Sequence, residues 1–273
     1  MESPEEKESW TFVTTKKRRS AAQRKSKTHT PLAAKSPVHA PQPTQTRESY
    51  LTVAEIKADH QRIKEQWLNS SCCRNLKKLM TSREYDHVPS TAVCLGIGSF
   101  DPPDGSWQVK RRTHAQLAAF QTLLELLNER ATEPIRCVFQ EPYFTEADRE
   151  FLEGMAYEIV DSPHGYKSVD EHTFLYGIHL YKETYSDAIA DHIPAIFIGT
   201  GWDTWESCAN PESFDWKRIE ELDQVCDKVN FPKDEDFYPA FTSTVIHWRK
   251  KLDKPVVADD VESALEKLTL SET

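Results

Sequence analysis

Long hydrophobic runs are missing from this sequence of 273 residues. The apolar run at 195–198 is among the longest, whereas a membrane-spanning helix needs roughly 20 such residues. A secretory signal is missing as well, because residues 1–7 are acidic and polar where a signal requires a positive region followed by an apolar one. We therefore expect no contact with a membrane, and we expect a soluble, intracellular protein.

Zinc-type and metalloprotease spacings are also missing. The six cysteines include no Cys-x-x-Cys pair, and no two histidines within 164–192 are four residues apart, as they are on the zinc-binding helix of a metalloprotease. A cytosolic chain of this size needs no disulfide bonds. The sequence therefore predicts reduced cysteines and no metal site.

Positive charge is scarce outside the N-terminal region. The net charge is −10, of which residues 1–49 carry +5 and the remaining residues carry −15. Binding of nucleic acid through phosphate neutralisation requires a basic face. The acidic body therefore makes direct binding of nucleic acid an unfavoured function.

Residues 1–49 stand apart by composition. They are rich in Ser, Thr, Pro, Lys and Gln, and they cannot bury enough apolar surface to offset the entropy of the chain. We expect a disordered basic arm. Its cluster Lys16-Lys17-Arg18-Arg19 has two interpretations, a nuclear import signal or a solvated charged tail.

Residues 50–273 are predicted to form one α/β domain. Apolar residues recur at three- and four-residue steps from Val53, which predicts amphipathic helices within 50–82. The core of the domain is expected at 90–200, and a less regular C-terminal extension at 201–273.

The core is organised around an apolar strand at 92–95 that ends in Gly96 and Gly98. Helical stripes alternate with this strand and the strands that follow it. Such an alternation predicts a mostly parallel, Rossmann-like sheet with helices on both faces. The further strands are expected at 135–139, 157–160, 173–178 and 195–199.

Three element boundaries follow from local signals. The capping-box pattern Thr113-x-x-Gln116 predicts that the helix after the glycine turn begins at Thr113. A later helix is expected over 216–229. The alternating segment 243–248 is expected to be a strand at the edge of the sheet.

The glycine pattern Gly96-x-Gly98 does not complete a dinucleotide fingerprint. That fingerprint needs a third glycine at the start of the helix, so that a phosphate meets the first helical amides. Here the helix is expected to begin about 14 residues after Gly98. At that distance its first amides do not reach a phosphate bound at the glycine turn. NAD and FAD are therefore unfavoured, and so are nucleoside triphosphates, because the chain has no Gly-x4-Gly-Lys run.

S-adenosylmethionine stays open as a ligand. Methyltransferase-like sheets combine a glycine turn after the first strand with an acidic residue that ends the second strand and binds ribose hydroxyls. Gly96, Gly98 and Glu141 match these roles. The alternative is that a buried strand simply turns here and that Glu141 is a solvated loop residue.

His179 and Ser99 are the remaining candidates for chemistry. His179 follows the carboxyl end of a predicted strand, where an acid, a base or a ligand could be placed, although a structural role also explains it. Ser99 follows the glycines without the Gly-x-Ser-x-Gly pattern of a hydrolase nucleophile. We predict no catalytic residue.

Several segments of the core share their order and spacing with one protein family. The first of them is Val-Cys-Leu-Gly-Ile-Gly-Ser-Phe at 93–100, and the matching region spans 90–200. The chain resembles the Sensitivity-to-Red-Light-Reduced family, in particular its fungal members. Glu141 stands where the family usually has Asp, and 177–180 lacks the Pro-His-Cys of many members. The other matching segments are 116–120, 141–145, 165–173 and 190–195, with a weaker match at 241–248.

The resemblance implies a regulatory or adaptor protein of the cytoplasm and the nucleus that acts through protein partners. Across the family, such proteins are linked to clock and light signalling, to haem biosynthesis and to cytoskeletal stability. No established reaction comes with the resemblance, and a methyltransferase-like enzyme is the competing hypothesis. We expect a crevice for a small ligand or a segment of a partner, lined by Gly96, Gly98, Ser99, Phe100, Gln116, Glu141 and His179.

Overall fold

A computed structural model describes residues 47–83, 88–208 and 216–250 of the protein. The predicted disordered arm lies outside these residues up to position 46, and so does its basic cluster at 16–19. The C-terminal tail beyond residue 250 lies outside them as well. None of the described helices is both long enough and apolar enough to cross a bilayer.

The described part of the chain contains seven α-helices, seven strands and two short 3-10 helices at His164–Ser168 and Tyr238–Ala240. The helices are α1 (Val53–Asn69), α2 (Ser71–Ser82), α3 (Trp107–Asn128), α4 (Glu146–Glu153), α5 (Lys182–Ala188), α6 (Trp202–Cys208) and α7 (Lys217–Val225). The strands are β1 (Thr91–Leu95), β2 (Arg136–Gln140), β3 (Glu158–Ile159), β4 (Thr173–Gly177), β5 (Ile196–Thr200), β6 (Cys226–Asn230) and β7 (Thr244–Arg249).

The strands form one sheet in the order β3-β2-β1-β4-β5-β7-β6. The first five strands of this order are parallel, and β7 and β6 continue the sheet in antiparallel pairing. The predicted mostly parallel sheet is therefore confirmed. The chain moves outward from β1 to β2 and β3, and it then returns to β4 on the other side of β1. The direction of the strand order thus reverses between β1 and β4.

Alternate residues of β1 face opposite layers of the molecule. Ala92 and Cys94 belong to an apolar cluster that includes residues of α1, α2, α3 and α4. Val93 and Leu95 belong to a second cluster that includes residues of α5 and α7. Successive side chains of a strand point to opposite faces, so both faces of the sheet are covered, as parallel sheets require. The predicted helices on both faces are confirmed.

Helix α1 confirms the helix that the apolar steps predict near the start of the domain. Thr52 and Glu55 form its capping box, in which each side chain bonds to the backbone of the other residue. Its buried residues recur every three or four positions, and they pack mainly against α3 and α4. They are Ile56, His60, Ile63 and Trp67.

The prediction that α3 begins at Thr113 is wrong. The helix begins at Trp107, and the Ser106 hydroxyl accepts a hydrogen bond from the Val109 amide at 3.4 Å. Thr113 is buried inside the helix. The basic residues at 110–112 have good helix propensity, so no local signal stops the helix from starting earlier.

Two further expectations near the C-terminal side are wrong. The helix that was expected over 216–229 ends at Val225, because Cys226 enters strand β6. Strand β7 lies between β5 and β6, so it is an interior strand and β6 forms the edge. The exposed Asp227 and Lys228 of β6 are the charged residues that protect an edge strand. Because these residues are polar, β6 does not form an apolar run in the sequence.

Candidate functional site

The candidate site lies at the carboxyl ends of β1, β2 and β4, where the strand order reverses. Ligands of open α/β sheets usually bind at such a position. Gly96 and Gly98 follow β1 with φ angles of +63° and +87°, which side chains rarely allow. The Gly96 amide donates a hydrogen bond to the Gln140 carbonyl at 2.9 Å, so the turn remains attached to β2.

Glu141 ends β2 and closes over the glycine turn. Its carboxylate accepts hydrogen bonds from the amides of Gly98 and Tyr143, each at 2.9 Å. The residue is only 6% exposed, and this burial raises the pKa of its carboxyl group, while the two amide bonds partly offset the rise. The structure therefore brings Gly98 and Glu141 together, and it overturns the alternative of a solvated loop residue.

Leu180 fills the space between the ends of β1 and β4. A Cβ atom on Gly96 would overlap with its Cδ2 atom, and a Cβ atom on Gly177 would lie 2.7 Å from its Cδ1 atom. A side chain at either position would displace the Leu180 side chain, and Gly96 is in addition constrained by its φ angle of +63°. The sequence pattern singled out Gly96 but did not reveal the side chain that covers it.

Ser99 belongs to a buried hydrogen-bond network around Asp148. Its hydroxyl donates to the Asp148 carboxylate at 2.6 Å, and the amides of Phe100 and Thr145 donate to the same carboxylate at 3.1 and 2.9 Å. Burial raises the pKa of Asp148, and these bonds partly offset the rise. The network joins the loop after β1 to the start of α4, which is a structural role for Ser99.

Phe100 packs against His114 of α3, which in turn packs against His60 of α1. The Phe100 ring lies 5.0 Å from that of His114, and the His60 ring lies 5.6 Å from His114. Burial lowers the pKa of His60 to about 4 and that of His114 to about 3. Both rings are therefore neutral at pH 7. Sequence analysis missed this pair because α1 and α3 are far apart in the chain.

Gln116 and His179 bond to the segment 240–242. The side-chain amide of Gln116 donates a hydrogen bond to the Ala240 carbonyl at 3.0 Å. The His179 Nε2 lies 2.7 Å from the Thr242 carbonyl oxygen, which requires the proton to be on that nitrogen. His179 has a φ angle of +60°, and burial lowers the pKa of its ring. Gln116 therefore links helix α3 to the chain that precedes β7, and His179 links the loop after β4 to the same chain.

The thiols of the described region are poor candidates for chemistry. Five cysteines are free and buried there, which confirms the prediction of reduced cysteines for them. Burial raises the pKa of Cys72, Cys137 and Cys226 to about 12, so these thiols stay protonated at neutral pH. Within 47–83, 88–208 and 216–250, no three His, Cys, Asp or Glu side chains are placed to bind one metal ion.

Comparison with known proteins adds one match to this geometry. The family model of the SRR1 domain matches residues 72–248, from α2 to β7, which is more than half of the chain. No curated protein sequence matches the chain. The matched region includes the sheet, its reversal point and the loops that carry Gly96, Glu141 and His179. The chain therefore belongs to the SRR1 domain family.

Proposed function

We propose that the protein is a regulatory or adaptor protein that acts in the cytoplasm and the nucleus by binding other proteins. The observation that carries this proposal is the position of Leu180. Its side chain occupies the space between Gly96 and Gly177, where doubly wound sheets hold their cofactors. The carboxylate of Glu141, which would otherwise bind a ligand hydroxyl, already accepts two backbone hydrogen bonds.

The surface around this position supports binding of a partner. Tyr143 follows β2 and is 76% exposed, and Tyr181 follows β4 and is 82% exposed. Tyrosine is enriched at protein interfaces because its ring combines apolar area with a polar end. The resemblance to the family suggests clock and light signalling, haem biosynthesis or cytoskeletal stability as the processes in which such a partner takes part.

A second candidate function is an S-adenosylmethionine-dependent, methyltransferase-like enzyme. The contact between Gly98 and Glu141 favours it, because the glycine turn and the acid at the end of β2 are adjacent, as in such sheets. In this function, the crevice lined by Gly96, Gly98, Ser99, Phe100, Gln116, Glu141 and His179 would hold the ligand. Leu180 would have to leave its present position before a ligand entered between β1 and β4.

Thermal unfolding of the full chain distinguishes the two functions. We would titrate the protein separately with S-adenosylmethionine, NAD, ATP and haem. A ligand at 100 times its dissociation constant adds about 2.7 kcal/mol to the free energy of unfolding. The adaptor function predicts no stabilisation by any of the four ligands.

Three variants make the result of the titration more specific. If S-adenosylmethionine stabilises the protein, and Glu141→Gln cancels the shift while Glu158→Gln does not, the adaptor function is overturned. Glu158 is a matched control because it lies in the neighbouring strand β3 and forms an exposed ion pair with Arg136 at 2.6 Å. Leu180→Ala should leave the protein unresponsive to all four ligands if the closed edge is not a ligand site.

A further inference from the structure

A polar groove of about 590 Å³ is lined by none of the residues of the glycine turn. It is bounded by α1, by α3 and by the segment that follows β6. A volume of this size falls in the range of binding clefts for ligands. The lining of the groove includes Arg62, Gln66, Asn69, Arg111, Asp236 and Phe237.

Arg62 is held in a fixed orientation at one side of the groove. Its guanidinium carbon lies 4.7 Å from the centre of the Trp107 ring, which is a cation–π contact. Its Nη2 atom donates to the Asp59 carboxylate at 2.6 Å. The Lys110 ammonium lies 3.8 Å from the same carboxylate, so Asp59 is shared between two cations.

Arg111 is oriented in the same manner from α3. Its guanidinium carbon lies 4.9 Å from the centre of the Phe237 ring. Its Nη1 atom donates to the Asp236 carbonyl at 2.6 Å. Phe237 is itself buried and packs edge-on against Trp67 at 5.4 Å, so the surface under this arginine is rigid.

With respect to residues 47–83, 88–208 and 216–250, both arginines retain most of their hydrogen-bonding capacity. A guanidinium has five N–H donors, and the hydrogen bonds above use one donor of Arg62 and one of Arg111. The contact with an aromatic ring restrains each guanidinium group, which reduces the entropy lost when it binds a planar anion. Carboxylates fit such a plane with two parallel hydrogen bonds.

The basic and acidic residues around the groove favour some anions over others. Lys110, Arg111 and Arg112 form a basic run at the start of α3, in a body whose net charge is −15. Glu65 and Asp236 also line the groove, so a dense polyanion would be repelled. A segment with a few carboxylates among neutral residues avoids that repulsion and still reaches both arginines.

We propose that this groove binds a short acidic segment of a partner protein, whose carboxylate side chains pair with Arg62 and Arg111. The amides of Gln66 and Asn69 lie in the same groove and supply hydrogen bonds for the backbone of the segment. The proposal rests on the adaptor function above and adds the chemistry of the partner.

Fluorescence anisotropy of the full-length protein tests the proposal. The probe is a fluorescein-labelled octapeptide with two glutamates among serines and glycines, and the matched peptide has glutamine at both positions. We expect the glutamate peptide to bind and the double variant Arg62→Gln/Arg111→Gln to weaken binding at least tenfold, or about 1.4 kcal/mol. The double variant Lys57→Gln/Lys78→Gln removes two exposed cations outside the groove and should leave binding unchanged.

Four results would overturn the proposal. They are no binding of the glutamate peptide, equal binding of the glutamine peptide, equal weakening by the control variant, and displacement by inorganic phosphate at the same concentration as the peptide. Arg62→Lys/Arg111→Lys keeps both charges and should give intermediate affinity, which covers the case that the glutamine variant unfolds. The ligand titration of the previous section is independent of this groove, so the adaptor function and the groove can fail separately.

Discussion

Leu180 lies against the backbone of Gly96, where β1 ends, and leaves no room for a Cβ atom there. The two residues are far apart in the chain, and their contact closes the sheet edge at the point where the strand order reverses. The contact explains why glycine is required at position 96 without invoking a bound phosphate. It also connects the stability of the turn to the loop after β4.

Gly96→Ala should destabilise the protein by about 1–3 kcal/mol. The φ angle of +63° costs an alanine about 1 kcal/mol, and the overlap with Leu180 adds to this cost. The double variant Gly96→Ala/Leu180→Ala should recover the part that is due to the overlap. Urea unfolding of the four proteins in this cycle measures the coupling, and strictly additive effects would contradict the contact.

Asp148→Ala should cost about 2–4 kcal/mol, because three buried donors lose their acceptor together. Asp148→Asn should also destabilise the protein, because the NH₂ group of the asparagine is a donor and would face at least one of these donors. Asp161→Asn is the control, because Asp161 pairs with Arg149 at an exposed position. Its cost should stay under about 1 kcal/mol in the same urea experiment. Equal costs for Asp148→Asn and Asp161→Asn would argue against the network.

The protein should lose stability as the pH falls from 7 to 5. Burial lowers the pKa of His60 and His247 to about 4 and that of His114 to about 3, against about 6.5 in the unfolded chain. Below pH 6.5, the unfolded chain therefore binds protons that the folded chain does not, and the free energy of unfolding decreases. Each histidine contributes a loss of roughly 2 kcal/mol at pH 5. The raised pKa values of Glu141 and Asp148 act in the opposite direction and reduce the total loss.

His114→Phe should make this pH dependence shallower. Neither ring nitrogen of His114 has a hydrogen-bond partner within the described residues, so a phenyl ring loses no bond there. Urea unfolding at pH 5, 6 and 7 measures the change in slope. An identical slope for wild type and His114→Phe would show that His114 does not titrate as burial requires.

Ser106→Ala should destabilise the protein by about 1 kcal/mol, because Ser106 and not Thr113 caps helix α3. Ser106→Asp keeps an acceptor for the Val109 amide and should retain the stability of the wild type. Thr113→Val tests the other assignment, since it keeps the shape of the side chain and removes the hydroxyl. If Thr113→Val cost as much as Ser106→Ala and Ser106→Asp gave no recovery, the observed cap would be in error.

Replacement of the four residues Lys16-Lys17-Arg18-Arg19 by alanine should reduce nuclear accumulation of the protein if this cluster is an import signal. Imaging of a fluorescent fusion in cells measures the ratio of nuclear to cytoplasmic signal. Replacement of Arg24, Lys25 and Lys27 removes nearby charge and serves as the control. An unchanged ratio in the first variant would leave a solvated charged tail as the explanation.

Much of the fold could be predicted because its signals are local. The apolar steps of α1 involve residues within a few helical turns of one another, and the helix that they predict is confirmed. Four of the five parallel strands were predictable because they are short, largely buried apolar runs, whereas β3 has only two residues and Glu158 is exposed. The start of α3 and the edge strand β6 were not predictable, since a competing capping pattern and a polar strand give misleading local signals.

The candidate site was predictable only in part. The adjacency of Gly98 and Glu141 follows from the rule that parallel strands end at the same edge, and the structure brings them together. The contacts of His179 with Thr242 and of Leu180 with Gly96 join loops that no periodic pattern relates. Ligand binding at these residues stays a prediction.

The sequence by itself determined the α/β alternation, the membership in the SRR1 domain family and the helices whose caps and apolar stripes lie within a few neighbouring residues. Only the tertiary structure shows that Leu180 lies against Gly96 and Gly177, that Glu141 is buried, and that Arg62 and Arg111 line one groove. The physical reason is that backbone conformation depends on near neighbours along the chain, whereas the filling of space at a strand end or between helices depends on side chains that only folding brings together.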